Sequence, residues 1–386
     1  MRNKIVKYLG SPKIFTFAIM WLIVLVFVGT IMQKYDGLYI VQNEYFTNWI
    51  KWFGYIPVPS AKTTMAIMFV NLSTYFLRKN IWQVKKLGVT ITHLGFIFLL
   101  FGSALTYIFS YEGNMIIREG NKSNFIENAY KNEFVVSVDS NDSDSLLYIT
   151  FPDKYLFKNN TLKHELIPFE VKIQDFFVNC SVNPRQVPDS SYSGFLIDFS
   201  IDTLGVNIEN QYEKNRPGIY YSINSPDNEV SNILRGMPLK HSIENNNIAF
   251  DEYKVFNTSN DSTIYRFYLR RERVYVPFEI ELIAFDKEEH VGTNTAKRYS
   301  SNIRFKNYNT DFVDPNVTIS MNVPYRKLGY TIYQASYYDE QTTVFAVVKN
   351  YGRVFPYVAC IIMSIGILFH LFNMVGKRFK GKRDNG

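Results

Sequence analysis

Two histidines lie where histidine is costly. His93 is the one side chain of the apolar stretch Leu87–Phe109 that titrates near neutrality, and His370 sits with Cys360 in the stretch Val354–Val375. Ionisable groups in runs of this kind face protein or a cofactor, not acyl chains. Each imidazole therefore either hydrogen-bonds a neighbouring helix or ligates a metal, and both readings stay open at this point. His93 lies six residues in from Leu87, and His370 five residues before Val375. If the two stretches are antiparallel helices, both rings stand roughly 8–9 Å from the same edge of the apolar layer. Lys86 precedes His93 by seven residues and Lys377 follows His370 by seven. That is close to two turns, so each lysine shares its histidine's face. A flat, anionic iron porphyrin fits such a set: its ring tolerates hydrocarbon, its iron takes imidazole and its propionates seek cations. The same lysines are also what charge placement and snorkelling at a membrane edge demand.

No catalytic constellation accompanies them. His164, His241 and His290 are far apart and lack a His-x-x-x-His spacing, and the chain has no Gly-x-Ser-x-Gly, phosphate loop or dinucleotide fingerprint. With Cys180 and Cys360 as the only cysteines, a disulfide scaffold, a cysteine zinc cluster and a CxxC thiol relay are excluded. The net charge of +7 does not indicate nucleic acid, because the cations gather at the ends of apolar segments.

Four apolar stretches are available to position the histidines: Ile14–Met32, Thr63–Leu77, Leu87–Phe109 and Val354–Val375. The second is short and carries Asn71, Ser73 and Thr74. The first follows Arg2, Lys4, Lys7 and Lys13 as a signal peptide would. It is long for that role, and Phe27-Val-Gly makes a poor cleavage site, so it is expected to remain. Cations mark the N-terminus, the link Arg78–Lys86 and the tail 376–386. Four crossings place those three segments in the cytoplasm and residues 33–62 and 110–353 outside. On the third stretch Gly88, Thr92, Gly95, Gly102 and Thr106 form a seam of small residues suited to close helix packing. His93 points roughly 120–140° away from it, toward a different neighbour. On the fourth, Ala359, Gly366, His370 and Asn373 share a face, which turns His370 into the bundle.

The composition of 47% hydrophobic, 20% charged and 17% aromatic residues hides two materials, since the middle of the chain is polar and rich in asparagine. Residues 37–53 read as an interfacial amphipathic helix, with Leu38, Val41, Tyr45, Trp49, Trp52 and Phe53 at helical spacing before Pro57 and Pro59. Residues 110–353 alternate polar and apolar in short runs (Phe134–Val138, Leu147–Phe151, Phe195–Asp202, Thr263–Tyr268, Val317–Val323, Leu328–Gln334) separated by turns such as 224–228. They predict a β-rich domain. Pro168–Phe176 echoes Pro277–Phe285, with Tyr192-Ser193 and Tyr299-Ser300 following each, which suggests two related β-units. The fold class expected is a membrane protein of four transmembrane helices with a large extracytoplasmic β-rich domain.

The chain resembles the ResB (CcsB) component of system II cytochrome c biogenesis. The likeness runs through Gly29-Thr30-x-x-Gln33, Gly37-Leu-Tyr with Gln42, Tyr45-Phe46 and Trp49, and Lys86-Leu-Gly-Val-Thr-Ile-Thr-His-Leu-Gly95. It continues in Arg118-Glu-Gly120, the Pro-Phe-Glu strands and Met321-Asn-x-Pro with Gly329-Tyr-x-x-Tyr-Gln334-x-Ser-Tyr. The resemblance implies a subunit of the bacterial inner membrane that moves or holds haem b for attachment to apocytochrome c, with no catalytic residue of its own. It implies a haem-iron role for His93, with the second axial ligand coming from a CcsA/ResC-like partner; that leaves His370, Lys86 and Lys377 as subsidiary candidates for contacts to the group. The chain has only Trp21, Trp49, Trp52 and Trp82 and lacks the tryptophan-rich WWD motif of that partner. The rival readings are a membrane-anchored scaffold with structural histidines and a b-type electron-transfer subunit.

Overall fold

The computed structural model describes residues 2–77, 81–83, 86–139, 147–191, 197–207, 215–224, 229–235, 250–256, 262–292, 295–310 and 312–383. His241, the Arg78, Lys79 and Lys85 charges, Tyr192-Ser193 and most of the 224–228 turn lie outside them. The chain divides into two units, Met1–Tyr111 with Lys349–Gly386, and Glu112–Val348. Apolar stretches from both ends of the sequence thus belong to one unit.

In the first unit α1 (Arg2–Leu9) and α2 (Pro12–Asp36) are followed by α3 (Leu38–Val41), α4 (Ala61–Phe76), α5 (Leu87–Phe109) and α6 (Phe355–Arg383). Pro12 opens α2, where its fixed φ suits the first turn and its missing donor costs nothing. Gly37, at a φ of 82°, closes it. Three segments are long and apolar enough to cross a membrane, Val6–Asp36, Leu87–Phe109 and Phe355–Gly376. Of the four expected crossings three are therefore of spanning length, and the second stretch, α4, is not. α4 has 16 residues, about 24 Å of helix against an apolar layer of about 30 Å. Its polar interruptions serve packing: buried Asn71 donates through Nδ2 to the Leu9 carbonyl and, at 3.0 Å, to that of Ser11. The link between α1 and α2 is stitched there.

Residues 37–53 do not form one helix. Helical winding runs on from α3 only to Thr47, and a hairpin follows, β1 (Ile50–Phe53) against β2 (Ile56–Pro59). Gly54 makes the turn at a φ of 59°, and Pro57 and Pro59 lie in the second strand of an isolated pair, where a missing donor is tolerated. Leu25, Val41, Tyr45 and Ala61 make a small core beneath this segment, and the Trp21 indole donates to the Pro59 carbonyl at 2.7 Å.

The second unit is β-rich, as the alternation predicts. It holds β3 (Tyr111–Arg118), β4 (Lys122–Asp139), β5 (Leu147–Pro152), β6 (Thr161–Leu162), β7 (Glu170–Phe177), β8 (Cys180–Pro184), β9 (Phe199–Thr203) and β10 (Gly218–Asn224). β11 (Glu229–Arg235), β12 (Phe250–Phe256), β13 (Ser262–Glu289), β14 (Ala296–Asn307), β15 (Val313–Ser320), β16 (Tyr325–Lys327), β17 (Tyr330–Tyr337) and β18 (Thr342–Lys349) complete it. The large antiparallel sheet runs β15-β14-β13-β4-β3-β18-β17-β16, with β12 on β13 and β5 on β4; a smaller one runs β11-β10-β7-β6. One core lies between β4, β5 and β13 on one side and β7 and β10 on the other, around Phe134, Phe267 and Tyr221. A second aromatic cluster joins Phe278 to Phe305 and Tyr330, with centroids 5.0 Å away in both cases. The two echo segments share their buried positions over the first six residues: Phe169, Val171 and Ile173 in the first, Phe278, Ile280 and Leu282 in the second. Where β4 meets β13, the Arg270–Glu133 and Arg273–Glu127 pairs, each 2.8 Å, bridge the two longest strands beside a bulge.

Candidate functional site

α5 is the element that carries the candidate ligand, and two of its faces are engaged by different helices. Gly88, Gly95 and Gly102 are buried along one of them. A Cβ on Gly88 would stand 2.6 Å from the His370 nitrogen, and one on Gly95 2.6 Å from Met363 Cγ; Gly102 lies against Phe355. From the other side Gly366 of α6 meets Thr92, and Gly352 meets Thr106. The predicted seam of small residues is thus the α5–α6 contact. At its far end the Asn350 side-chain oxygen accepts from the Thr106 and Ser110 hydroxyls, both at 3.0 Å, and from the Gly352 N–H at 2.8 Å. Together they fix where α6 begins.

His93 is half-buried and turned toward α4. Its ring lies 5.2 Å from that of Tyr75, centroid to centroid, with the planes 40° apart. It also hydrogen-bonds the Val89 carbonyl, one turn earlier in its own helix. An imidazole that donates from one nitrogen keeps a lone pair on the other, the arrangement that orients a histidine ligand. Beyond Tyr75 the aromatic contacts continue to Phe76 and then to Trp82, at 5.9 and 6.0 Å. The segment holding Trp82 is tied to α5 by buried Thr90, whose hydroxyl donates to the Ile81 carbonyl at 2.7 Å.

The two histidines do not meet. His370 sets its backbone against Gly88 while its side chain is exposed. The shared face with Ala359 and Gly366 is therefore correct for the helix, but the imidazole leaves the bundle at its edge. His93 is five residues along α5 from the Gly88 contact, which separates the two levels by about 7.5 Å along the axis and about 140° around it. The expected common depth fails because the helix pair is staggered by its glycines, not aligned by its apolar limits. Lys86 is exposed at the start of α5, on the approach to His93. The Lys377 side chain lies outside the described residues. Among the described residues no three His, Cys, Asp or Glu side chains gather to hold a bare metal ion. A lone imidazole suits a metal that brings its own equatorial donors, and an iron porphyrin does so. Tyr75, Phe76 and Trp82 escaped the sequence reading. Their signal is an aromatic cluster flanking the link into the histidine's helix, and it becomes specific only once α4 lies beside α5.

Residues 82–190 match the ResB-like family model. The ResB-like segment takes in Trp82, all of α5 with His93 and the strands through β8. It contains the run Lys86–Gly95 leading into α5 that carries the sequence resemblance. None of the curated proteins matches the chain.

Proposed function

We propose that this chain is the haem-handling membrane subunit of a cytochrome c synthase, with His93 as an axial ligand to the iron of haem b. The observation that carries this reading is the His93 ring itself: half-buried in an apolar helix, held through one nitrogen by Val89, and turned away from the α6 seam. The face it uses is left for α4 and for a further subunit. A CcsA/ResC-like partner with a WWD motif would supply the opposing ligand and the attachment site, because His370 is too far along the bundle to share an iron with His93. Lys86, two turns before His93, is placed to meet a propionate. Apocytochrome c is the acceptor, and the β-rich unit with its two echoing strands serves to position it or the partner.

The same reading sets an orientation in a bacterial inner membrane. Lysines and arginines before α2, at the start of α5 and along the end of α6 belong on the cytoplasmic side. α5 then emerges outward into β3, and α6 returns inward after β18, which puts the β-rich unit outside. The aromatic segment 33–62 lies at the outer interface. There Lys62 sits 4.4 Å from the Trp49 ring and 4.5 Å from the Tyr107 ring, near the outward end of α5.

His93→Gly tests the ligand. In the complex purified from membranes, the variant is expected to lose most of its haem and its low-spin absorption spectrum at unchanged protein level. Added imidazole should restore the spectrum by entering the vacated space. Full haem content and an unchanged spectrum in His93→Gly would defeat the assignment and favour a histidine that only packs.

A further inference from the structure

The His93 ring is restrained from two directions. The Val89 hydrogen bond is made within α5, one turn before the ring. By itself it leaves the ring able to swing about that bond. Tyr75 approaches from α4 with its centroid 5.2 Å away and its plane inclined by 40°, and closes the swing on that side. Tyr75 is in turn backed by Phe76, ring against ring at 89°. Phe76 meets Trp82, whose segment Thr90 ties back to α5. The contacts thus form a closed circuit that starts and ends on the helix bearing the histidine.

We propose that Tyr75 is a positioning residue for His93, its ring holding the imidazole plane so that the unprotonated nitrogen is offered to haem iron in one direction. This rests on the reading of His93 as the ligand. An axial bond requires the nitrogen lone pair to lie along the normal to the porphyrin, and a ring free to swing must be ordered when haem arrives. A ring already held binds more tightly because that ordering is complete beforehand. The contact to His93 from which this role is argued is ring to ring.

The test is haemin titration of the complex of this chain with its CcsA/ResC-like partner in lipid nanodiscs, comparing wild type, Tyr75→Phe, Tyr75→Leu and His93→Gly by absorption spectrum and affinity. Wild type and Tyr75→Phe are expected to match. Tyr75→Leu should bind roughly three- to ten-fold more weakly, the worth of one ring–ring contact, with a larger high-spin fraction. His93→Gly should lose the spectrum altogether. A Tyr75→Leu protein that binds like wild type, while His93→Gly does not, overturns the positioning role and leaves the ligand standing. Loss in Tyr75→Phe equal to that in Tyr75→Leu also overturns it, by transferring the effect to the hydroxyl. A wild-type complex that takes up no haemin, or a His93→Gly complex that binds it normally, removes the ligand reading and this inference with it.

Discussion

At the scale of single residues, the β-rich unit offers the sharpest electrostatic prediction. Glu133 is buried against Arg270, their side chains 4% and 11% exposed, with 2.8 Å between the charged atoms. Burial pushes the Glu133 carboxyl above its usual range, although the hydrogen bond and charge of Arg270 pull it down. A carboxyl raised by folding binds its proton more tightly in the native state. Its contribution is complete below the ordinary value of 4.5 and is lost as pH rises through the raised one. Wild type should therefore gain stability relative to Glu133→Gln as pH falls from neutral to 4.5. Arg270→Ala, which strands the carboxylate, should cost about 3–5 kcal/mol at neutral pH. Far-UV circular dichroism through a denaturant titration reads both, because Trp21, Trp49, Trp52 and Trp82 all lie in the other unit and report on it instead. An unchanged pH slope in Glu133→Gln would show that water reaches the pair. His93 and Tyr75 mark the limit of what residues disclose alone. A histidine in an uncharged run is conspicuous in any sequence, whereas one tyrosine among 28 becomes meaningful only through the helix it sits on.

Elements were legible in proportion to how local their causes are. The seam of α5 could be read because Gly88, Gly95 and Gly102 recur every seven residues, and a helix lays that period on one face. Their partners on α6 and the stagger between the helices were not legible, since the sequence says that backbones approach but not at which level. That is why two histidines measured from the apolar edges were expected at one depth and are not. Helical spacing in residues 48–53 was misleading for a different reason: β-prone Ile50, Trp52 and Phe53 lie next to a Gly54 turn and two prolines, and turn chemistry overrode the period. The seam gives a graded prediction. At Gly88 an added methyl group meets the His370 backbone, which cannot swing aside; at Gly95 the nearest atom belongs to the flexible Met363 side chain. Gly88→Ala should thus separate α5 from α6 and destabilise the helical unit by about 1–3 kcal/mol, and Gly95→Ala by less. Unfolding in mixed micelles, followed by tryptophan fluorescence, orders the two. An equal effect would mean that the helices shift together and relieve both contacts.

At the scale of the whole molecule the question is one of parity. The charges at the start of α2, α5 and the end of α6 ask for the same side, and on the orientation proposed above the chain between α2 and α5 returns to the side it left. Three helices reach spanning length, and α4, within that returning segment, supplies about 24 Å. The positive-inside bias asks for that return, and α4 would make it at a mismatch of a few ångströms, which costs fractions of a kcal/mol per Å. Single cysteines decide the matter in a chain carrying Cys180→Ser and Cys360→Ser. Tyr55 at the hairpin turn and Val291 in the β-rich unit are fully exposed, and Gln83 is exposed on the link before α5. A membrane-impermeant maleimide added to spheroplasts should label Tyr55→Cys and Val291→Cys at once, and Gln83→Cys only after the membrane is opened. Labelling of Tyr55→Cys and Gln83→Cys from outside, with Val291→Cys protected, would mean that the segment between α2 and α5 stays on one face. The β-rich unit would then lie on the cytoplasmic side, and haem bound near His93 would have no outward acceptor to serve.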